Sequence, residues 1–432
     1  MGRYHFIGIK GSGMSAAAQI LHDLGHSVQG EDIEETLFTE TPLRSRGIPI
    51  YRFTEAPLAE GDDITVIASN AYRDDHPAVA RVSEAGIPVI RYHHFLGEWM
   101  SPYTSIAVTG SHGKTTTTGM LSHALSGVEP VCSLIGDGTG TGTPGSRLFV
   151  FESCEYRNHF LAYSPELAVI TNIDFDHPDF FSDIEHVRQS FEKMAERVKR
   201  KLIVCGDDPQ VSLLRTAKPL LRYGFGETNE LRALDLAYES GMAVFDVEHK
   251  GRPLGRFRIP SFGRHNVLNA LAVIGVALEL DLPLENIRRQ LATFLGVKRR
   301  FSETEWKRNV LIDDYAHHPS EIKATLEAAR SKYPNRRIIG VFQPHTYSRV
   351  EKLLEEFALS LREADDVFLC DIFGSAREQA GSVTIEDLRD RIPNSRLLDE
   401  DTVSLLSGYE ESVLIFMGAG DIQKYQRVLQ TL

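Results

Sequence analysis

The chain has 432 residues and a formal net charge of −13, from 47 Lys+Arg against 60 Asp+Glu, with 42% hydrophobic and 25% charged residues. This length predicts two to three domains, and the acidic balance excludes the broad basic footprint of a nucleic-acid or membrane-surface binder. The four cysteines, Cys132, Cys154, Cys205 and Cys370, are far apart with no Cys-x-x-Cys, which predicts reduced thiols in a cytoplasmic protein rather than a disulfide framework or a cysteine zinc site. No apolar run approaches the ~18 residues that span a bilayer, so no membrane insertion is expected.

Residues 4–9 alternate into an apolar strand, not into the basic stretch and apolar core of a secretory leader. Gly8, Gly11 and Gly13 follow, then apolar positions at 14, 17, 20, 21 and 24 with Gly25 as a helix stop. Gly11-x-Gly13-x-x-Ala16, filled in by Ser12, Met14 and Ser15, has the form of a turn that sets a diphosphate on a helix N-terminus. A tight packing turn is the competing reading. A strand at 27–30 ends in Glu31-Asp32, where a ribose-binding acid belongs. Helices at 41–46 and 76–85 alternate with strands at 48–50, 64–68 and 88–90, which predicts a parallel sheet covered on both faces. Ligands on such sheets sit at the carboxyl ends of the strands, where Gly11, Asp32, Ser69 and Asn70 fall. Ser101-Pro102-Tyr103 closes this first unit, 1–103.

The second unit, 104–296, opens on Ile106-Ala107-Val108-Thr109-Gly110-Ser111-His112-Gly113-Lys114-Thr115-Thr116. A buried strand, a glycine turn and a helix start make a phosphate cradle. Its amides face an anion, Lys114 reaches the terminal phosphates, and the Thr115 hydroxyl ligates Mg²⁺. Val108 stands where the general P-loop has its first glycine, leaving the short form Gly-x-x-Gly-Lys-Thr. Residues 136–145 read as a loop. Buried strands at 148–151 and 167–171 end in Glu152-Ser153-Cys154-Glu155 and Asn172-Ile173-Asp174-Phe175-Asp176-His177. Acids and a histidine at such strand ends are metal-ligand candidates, with solvated loop carboxylates or helix caps as the plainer reading. Residues 183–199 read as an amphipathic helix and 231–260 as antiparallel strands. A long apolar helix to about 280 begins with His265 and Asn269 on one face, placed either to hydrogen-bond a base or to cap the helix.

The third unit, 297–432, follows Gly296-Val297-Lys298-Arg299-Arg300-Phe301. The double arginine reads equally as a phosphate clamp and as a solvated pair. Strands at 310–312, 337–342 and 413–417 end in Asp313-Asp314-Tyr315-Ala316-His317-His318-Pro319, Gln343-Pro344-His345-Thr346-Tyr347-Ser348-Arg349 and Gly418-Ala419-Gly420-Asp421, and 367–370 reads as a further strand.

A diphosphate-type turn in one α/β unit and a triphosphate cradle in the next predict a ligation or transfer driven by nucleotide cleavage. An NAD-dependent dehydrogenase built on Gly11-x-Gly13 leaves the P-loop without a use. A nucleotide-binding regulator without chemistry is the other alternative. The P-loop, Thr171-Asn172-Ile173, Asp176-His177, residues 263–269, Arg299-Arg300-Phe301, residues 313–319 and Phe342-Gln343-Pro344-His345 together resemble the Mur ligase family over essentially the full length. These are the ATP-dependent amide-bond-forming ligases of peptidoglycan precursor synthesis, tied to cell-wall biogenesis, cell shape and cell division. The folylpolyglutamate synthetase branch shares the short P-loop but lacks a sugar-nucleotide domain such as 1–103.

The resemblance implies a fold and a distribution of roles. The fold is α/β in three domains: an N-terminal Rossmann-like UDP-sugar domain, a central P-loop domain with a small antiparallel sheet, and a C-terminal Rossmann-like domain. ATP and Mg²⁺ (or Mn²⁺) are the implied cofactors. Gly110, Ser111, His112, Gly113, Lys114, Thr115 and Thr116 hold phosphates, His265 and Asn269 contact adenine, and Arg300 and Asp314 approach from the third domain. Thr115, Glu155 and His177 ligate metal. Cys154 stands where the family usually has Asp, so Glu152 is the alternative to Glu155. Gly11, Ser12, Gly13, Met14 and Ser15, with Asp32, Ser69 and Asn70, hold the uridine diphosphate. Tyr315, His317, His345 and Arg349 position the amino acid and the acyl phosphate, and a histidine takes the amine proton. The opening Gly8-Ile9-Lys10-Gly11-Ser12-Gly13-Met14-Ser15 is similar to the branch joining L-alanine to UDP-N-acetylmuramate. Glu155-Tyr156 and Phe175-Asp176-His177 are similar to the branch attaching a tripeptide to the same sugar nucleotide. A monomer or homodimer is expected.

Overall fold

The computed structural model describes residues 1–57, 64–374, 378 and 380–432, and among these the strands form three sheets. The first is parallel throughout, in the order Ile50–Arg52, Ser27–Asp32, Arg3–Ile7, Ile64–Ala68, Val89–Arg91. Its central strands are apolar on both faces, with Phe6, Ile7, Val66 and Ile67 fully buried, as covered parallel strands require. The helix Ser12–Asp23 packs on it through Ala16, Ala17, Ile20 and Leu21. The sequence reading missed a further helix, Tyr92–Trp99, which is rich in residues of modest helix propensity and carries no capping side chain.

The second sheet has ten strands. Six parallel strands make its body, in the order Leu220–Gly224, Lys201–Cys205, Leu167–Ile170, Thr104–Thr109, Leu148–Glu152, Val131–Leu134. The expected antiparallel strands are Leu231–Glu239, Met242–His249 and Arg252–Ile259. They continue this sheet through the pairs Tyr223↔Leu231 and Gly224↔Arg232 rather than standing apart. The expected loop at 136–145 contains a two-residue edge strand, Gly140–Thr141. Its glycines serve close approach. A Cβ on Gly140 would lie 2.0 Å from the Ala16 carbonyl, and one on Gly142 2.4 Å from that of Ile20. Gln19 Nε2 donates to the Gly138 carbonyl at 2.7 Å. The loop is thus pressed onto the first domain's helix.

The third sheet runs Ser302–Trp306, Asn309–Asp314, Ser412–Met417, Arg337–Phe342, Asp366–Leu369, Arg396–Leu397, with only the first strand antiparallel. That first strand, Ser-Glu-Thr-Glu-Trp, carries no apolar alternation and was not anticipated. One apolar core joins Phe6 and Leu96 of the first domain to Phe149, Phe151 and Ile170 of the second. Each such fully buried side chain contributes about 1.5–3 kcal/mol. Among the described residues no helix is long and apolar enough to cross a membrane.

Candidate active site

The strand Thr104–Thr109 lies between Leu148–Glu152 and Leu167–Ile170, so its carboxyl end opens between the two acid-bearing strand ends. The turn after it is tied down from the side. Asn172 accepts from the His112 N–H through Oδ1 (2.8 Å) and donates to the His112 carbonyl (3.0 Å), and Thr171 Oγ1 donates to that carbonyl at 2.6 Å. Gly110 and Gly113 adopt φ of 131° and 79°, and a Cβ on Gly110 would lie 2.0 Å from Thr171 Oγ1. Only glycine closes this cradle. Lys114 Nζ folds into it, donating to the Gly110 and Ser111 carbonyls (2.6 and 2.9 Å) and pairing with Glu155 Oε2 at 3.0 Å. Burial works against the charge on Lys114, but Glu155 outweighs it and raises the pKa.

A cavity of about 230 Å³ lies over the cradle and takes its walls from all three domains. The first gives Ser12 and Phe38, the second Ser111, Gly113, Lys114, Thr115, Glu152, Asp176 and His177, and the third Arg299, Arg300, Tyr315, His317 and Glu321. A second cavity of about 200 Å³ adjoins it, lined by Gly13, Asn70, Tyr92 and Cys154, and shares Ser12, Gly136 and Glu152 with the first. Ser12, Gly136 and Glu152 therefore form the wall between them, and of these only Glu152 can carry a charge. It bonds Thr115, and burial raises its pKa. Glu155 is 1% exposed and sits behind Lys114, with His177 Nε2 3.8 Å from its Oε1. The candidate metal donors thus fall on two sides of Lys114: Thr115 with Glu152, and Glu155 with His177. Hydroxyl and carboxylate oxygens are the hard donors that suit Mg²⁺ or Mn²⁺, and the glycine cradle suits a polyphosphate.

Several expected site residues are engaged by the protein itself. Asp314 accepts from the Phe301 and Ala316 amides (2.9 and 2.8 Å), and burial raises its pKa to about 6. It thereby holds a linker in which Arg299 and Phe301 adopt left-handed φ of 56° and 50°. Arg349 places Nε and Nη2 both 2.9 Å from Asp176 Oδ1, a buried pair joining the third domain to the second. Burial opposes the Asp176 charge, and Arg349 outweighs it and holds the pKa well below the usual carboxylate range. His317 is 6.1 Å from His345 between ring centroids. Asp32 accepts from the Lys10 and Ile33 amides (2.6 and 2.8 Å) and faces the Tyr72 hydroxyl. Ser15 donates to the Thr39 carbonyl, Met14 is buried, and Gly11 caps the helix that Ser12 and Gly13 begin. Ser69 receives the Ala71 amide, and Asn70 meets His93 at 2.9 Å. Asn269 abuts Gly113 and donates to Asn266, whereas His265 is held neutral by burial, then by Arg300, with a pKa lowered to about 4. Thr116 follows Thr115 in the first helical turn without lining the cavity.

The sequence reading missed Glu321 as a hub. Its carboxylate pairs with Arg300 (3.2 Å) and His317 (3.1 Å) and faces His112 Nδ1 at 3.7 Å. It lies three residues after the His318 N-cap of the helix Pro319–Lys332, where an acid reads as ordinary helix-start chemistry. Burial opposes charge on His112, but bonds to Asp174 and Glu321 raise its pKa to about 10.

Three family models match in series: Mur ligase family, catalytic domain, over 3–104; Mur ligase middle domain over 108–277; and Mur ligase, glutamate ligase domain, over 299–420. The chain belongs to the Mur ligase family. As a Mur ligase it is a three-domain ATP-dependent amide ligase of the peptidoglycan type, acting on small molecules. It is similar to the solved UDP-N-acetylmuramate–alanine ligase of Thermotoga maritima, at 29% identity, covering 99% of this chain and 98% of that one, with a TM-score of 0.82. It is also similar to the murein peptide ligase of Psychrobacter arcticus 273-4 (23% identity, 100% and 98% coverage, TM-score 0.73). A third likeness is to the pseudomurein peptide ligase type C of Methanothermus fervidus (19%, 100% and 100%, 0.69).

Proposed function

We propose that this Mur ligase joins L-alanine to the carboxylate of UDP-N-acetylmuramate, with cleavage of ATP to ADP and phosphate. The observation that carries the reading is the pair of adjoining cavities divided by the wall that includes Glu152. One sits over the Gly110–Lys114 cradle, and the other is walled by Gly13 and Asn70 at the first domain's strand ends. A phosphate donor and an acid acceptor held there are one side chain apart. The likeness to the Thermotoga alanine ligase favours L-alanine as the amine.

In this reading residues 1–103 bind the sugar nucleotide, 104–296 bind ATP, and 297–432 supply the amino-acid and further ATP contacts. The muramoyl carboxylate attacks the γ-phosphate, forming an acyl phosphate and releasing ADP. The alanine amine then attacks that carbonyl, and phosphate leaves. Lys114 and the 110–113 amides neutralise the phosphates, and Arg300 approaches from the other side. Thr115 and Glu155, with Glu152 beside Thr115, would hold Mg²⁺, and His177 would take a second ion; such ions would add positive charge where the phosphoryl group carries negative. Lys114 now occupies the cation position on Glu155, so its move to a phosphate frees that carboxylate. His265 and Asn269 face the base. His317 and His345 face the amine, and one takes its proton.

Phosphate release by purified protein tests this. Release is expected only with ATP, UDP-N-acetylmuramate and L-alanine together. Release from ATP alone, or hydride transfer to NAD, refutes it. The second reading, attachment of a tripeptide to the same sugar nucleotide, is favoured by the likeness, at 27% identity over 69% of this chain, to the UDP-N-acetylmuramate:L-alanyl-gamma-D-glutamyl-meso-diaminopimelate ligase of Neisseria meningitides. Replacing L-alanine by L-alanyl-γ-D-glutamyl-meso-diaminopimelate in the same assay decides between them.

A further inference from the structure

Among the described residues, His112, Asp174 and His318 bring three ligand atoms within 4.8 Å of one another. They come from two domains: the P-loop and the 174–176 segment on one side, the N-cap of the helix Pro319–Lys332 on the other. We propose that they form a binding site for a transition-metal dication of the Zn²⁺ class, distinct from the magnesium position at Thr115 and Glu155, that clamps the C-terminal domain to the P-loop.

The spacing supports the assignment. Donor atoms around a tetrahedral zinc with ~2.0 Å bonds stand about 3.3 Å apart. Asp174 Oδ2 lies 3.0 Å from His112 Nε2 and 3.6 Å from His318 Nδ1. Two imidazoles aimed at one such ion have centroids about 5.2 Å apart; these are 4.5 Å apart, so binding spreads the rings by about 0.7 Å. The outer shell agrees as well. Ligating histidines characteristically give their other ring nitrogen to a carboxylate or a carbonyl. His112 Nδ1 faces Glu321 at 3.7 Å, a charge contact longer than a hydrogen bond, and His318 Nε2 meets the Phe175 carbonyl at 3.2 Å, within one. The latter bond leaves His318 Nδ1 unprotonated; its one lone pair accepts the Ser320 amide at 3.3 Å, a long bond that the metal would replace, and Asp174 Oδ2 stands 3.6 Å away. Asp174 is oriented by the Phe175 amide (2.8 Å) and the Ser320 hydroxyl (2.6 Å). Asp174 is 36% exposed, which leaves room for a water as the fourth ligand. Two nitrogens and one oxygen favour Zn²⁺, Co²⁺ or Ni²⁺ over Mg²⁺. The ion takes the place of the proton that His112 shares with Asp174.

The test uses the full chain in saturating Mg²⁺, with Co²⁺ as a coloured probe and Zn²⁺ as competitor. One Co²⁺ per chain is expected, with visible absorption of a low-coordinate site, bleached by one equivalent of Zn²⁺. His318→Asn keeps a side chain that caps helices and is expected to weaken binding at least ~10-fold. Asp174→Asn is expected to do the same, and serves if His318→Asn does not fold. Zn²⁺ should raise the melting temperature of the wild type and not of His318→Asn. No stoichiometric site in the wild type, or equal affinity in a folded variant, overturns the proposal.

Discussion

Arg349→Met isolates what holds the C-terminal domain in place. The Arg349 and Asp176 side chains are 5% and 6% exposed, with two guanidinium nitrogens at 2.9 Å from one carboxylate oxygen. Removing one partner of a buried pair costs about 3–5 kcal/mol, because the other charge is stranded. Asp176 would keep the His177 amide at 2.6 Å but lose its facing cation. The two residues belong to different domains, so the stranded carboxylate regains water if the domains part. The cost therefore falls on docking, by a factor of about 10²–10³·⁵. Small-angle scattering should report a larger radius of gyration for Arg349→Met, and phosphate release should slow with the loss of docked enzyme. The double variant Asp176→Asn/Arg349→Met should recover the compact form, since a buried pair and a neutral replacement are often of similar stability. A single variant as compact as the wild type, or a double variant as extended as the single, would refute the reasoning.

Three further outcomes follow from the same geometry. Lys114→Ala should abolish phosphate release while UDP-N-acetylmuramate still binds, measured calorimetrically; loss of both would argue against separate cavities. Gly140→Ala forces a Cβ to within 2.0 Å of the Ala16 carbonyl and should cost about 1–3 kcal/mol in thermal unfolding; an unchanged melting temperature would contradict the tight seating of that loop. The His112 pKa, near 6.5 when unfolded and raised to about 10 in the fold, means its contribution is full below pH 6.5 and lost as pH rises through about 10. The melting temperatures of wild type and His112→Gln should therefore converge towards pH 10; parallel curves would count against the doubly held imidazole.

Three α/β domains were legible because buried parallel strands are continuous apolar runs and their helices end at glycine or begin at a cap. The P-loop was legible for the same reason, since strand, glycines, Lys114 and Thr115 are local in sequence. Lys201–Cys205 and Val131–Leu134 were not, because short buried strands carry no periodicity that separates them from a helix segment. The roles of Glu321 and Ser320 were invisible for a different reason. Glu321 faces His112, and Ser320 bonds Asp174, across a domain interface, and a lone acid near a helix start has a sufficient local explanation. Asp314 and Arg349 were picked out as site residues, yet their bonds run to the chain itself, which only the folded geometry displays.

The shared wall at Glu152 has a kinetic side. An anionic acceptor entering past Asn70 meets a carboxylate before it meets any phosphate. Lys114 and Arg300 on the far side of that wall offset the charge of Glu152 only in part, so a further cation arriving there with the nucleotide eases the approach. The expected order of addition is therefore nucleotide first and acid acceptor second. Product-inhibition patterns of a random mechanism would contradict it. Glu152→Gln should relax the order, because the barrier is one side chain's charge rather than a movement of the chain.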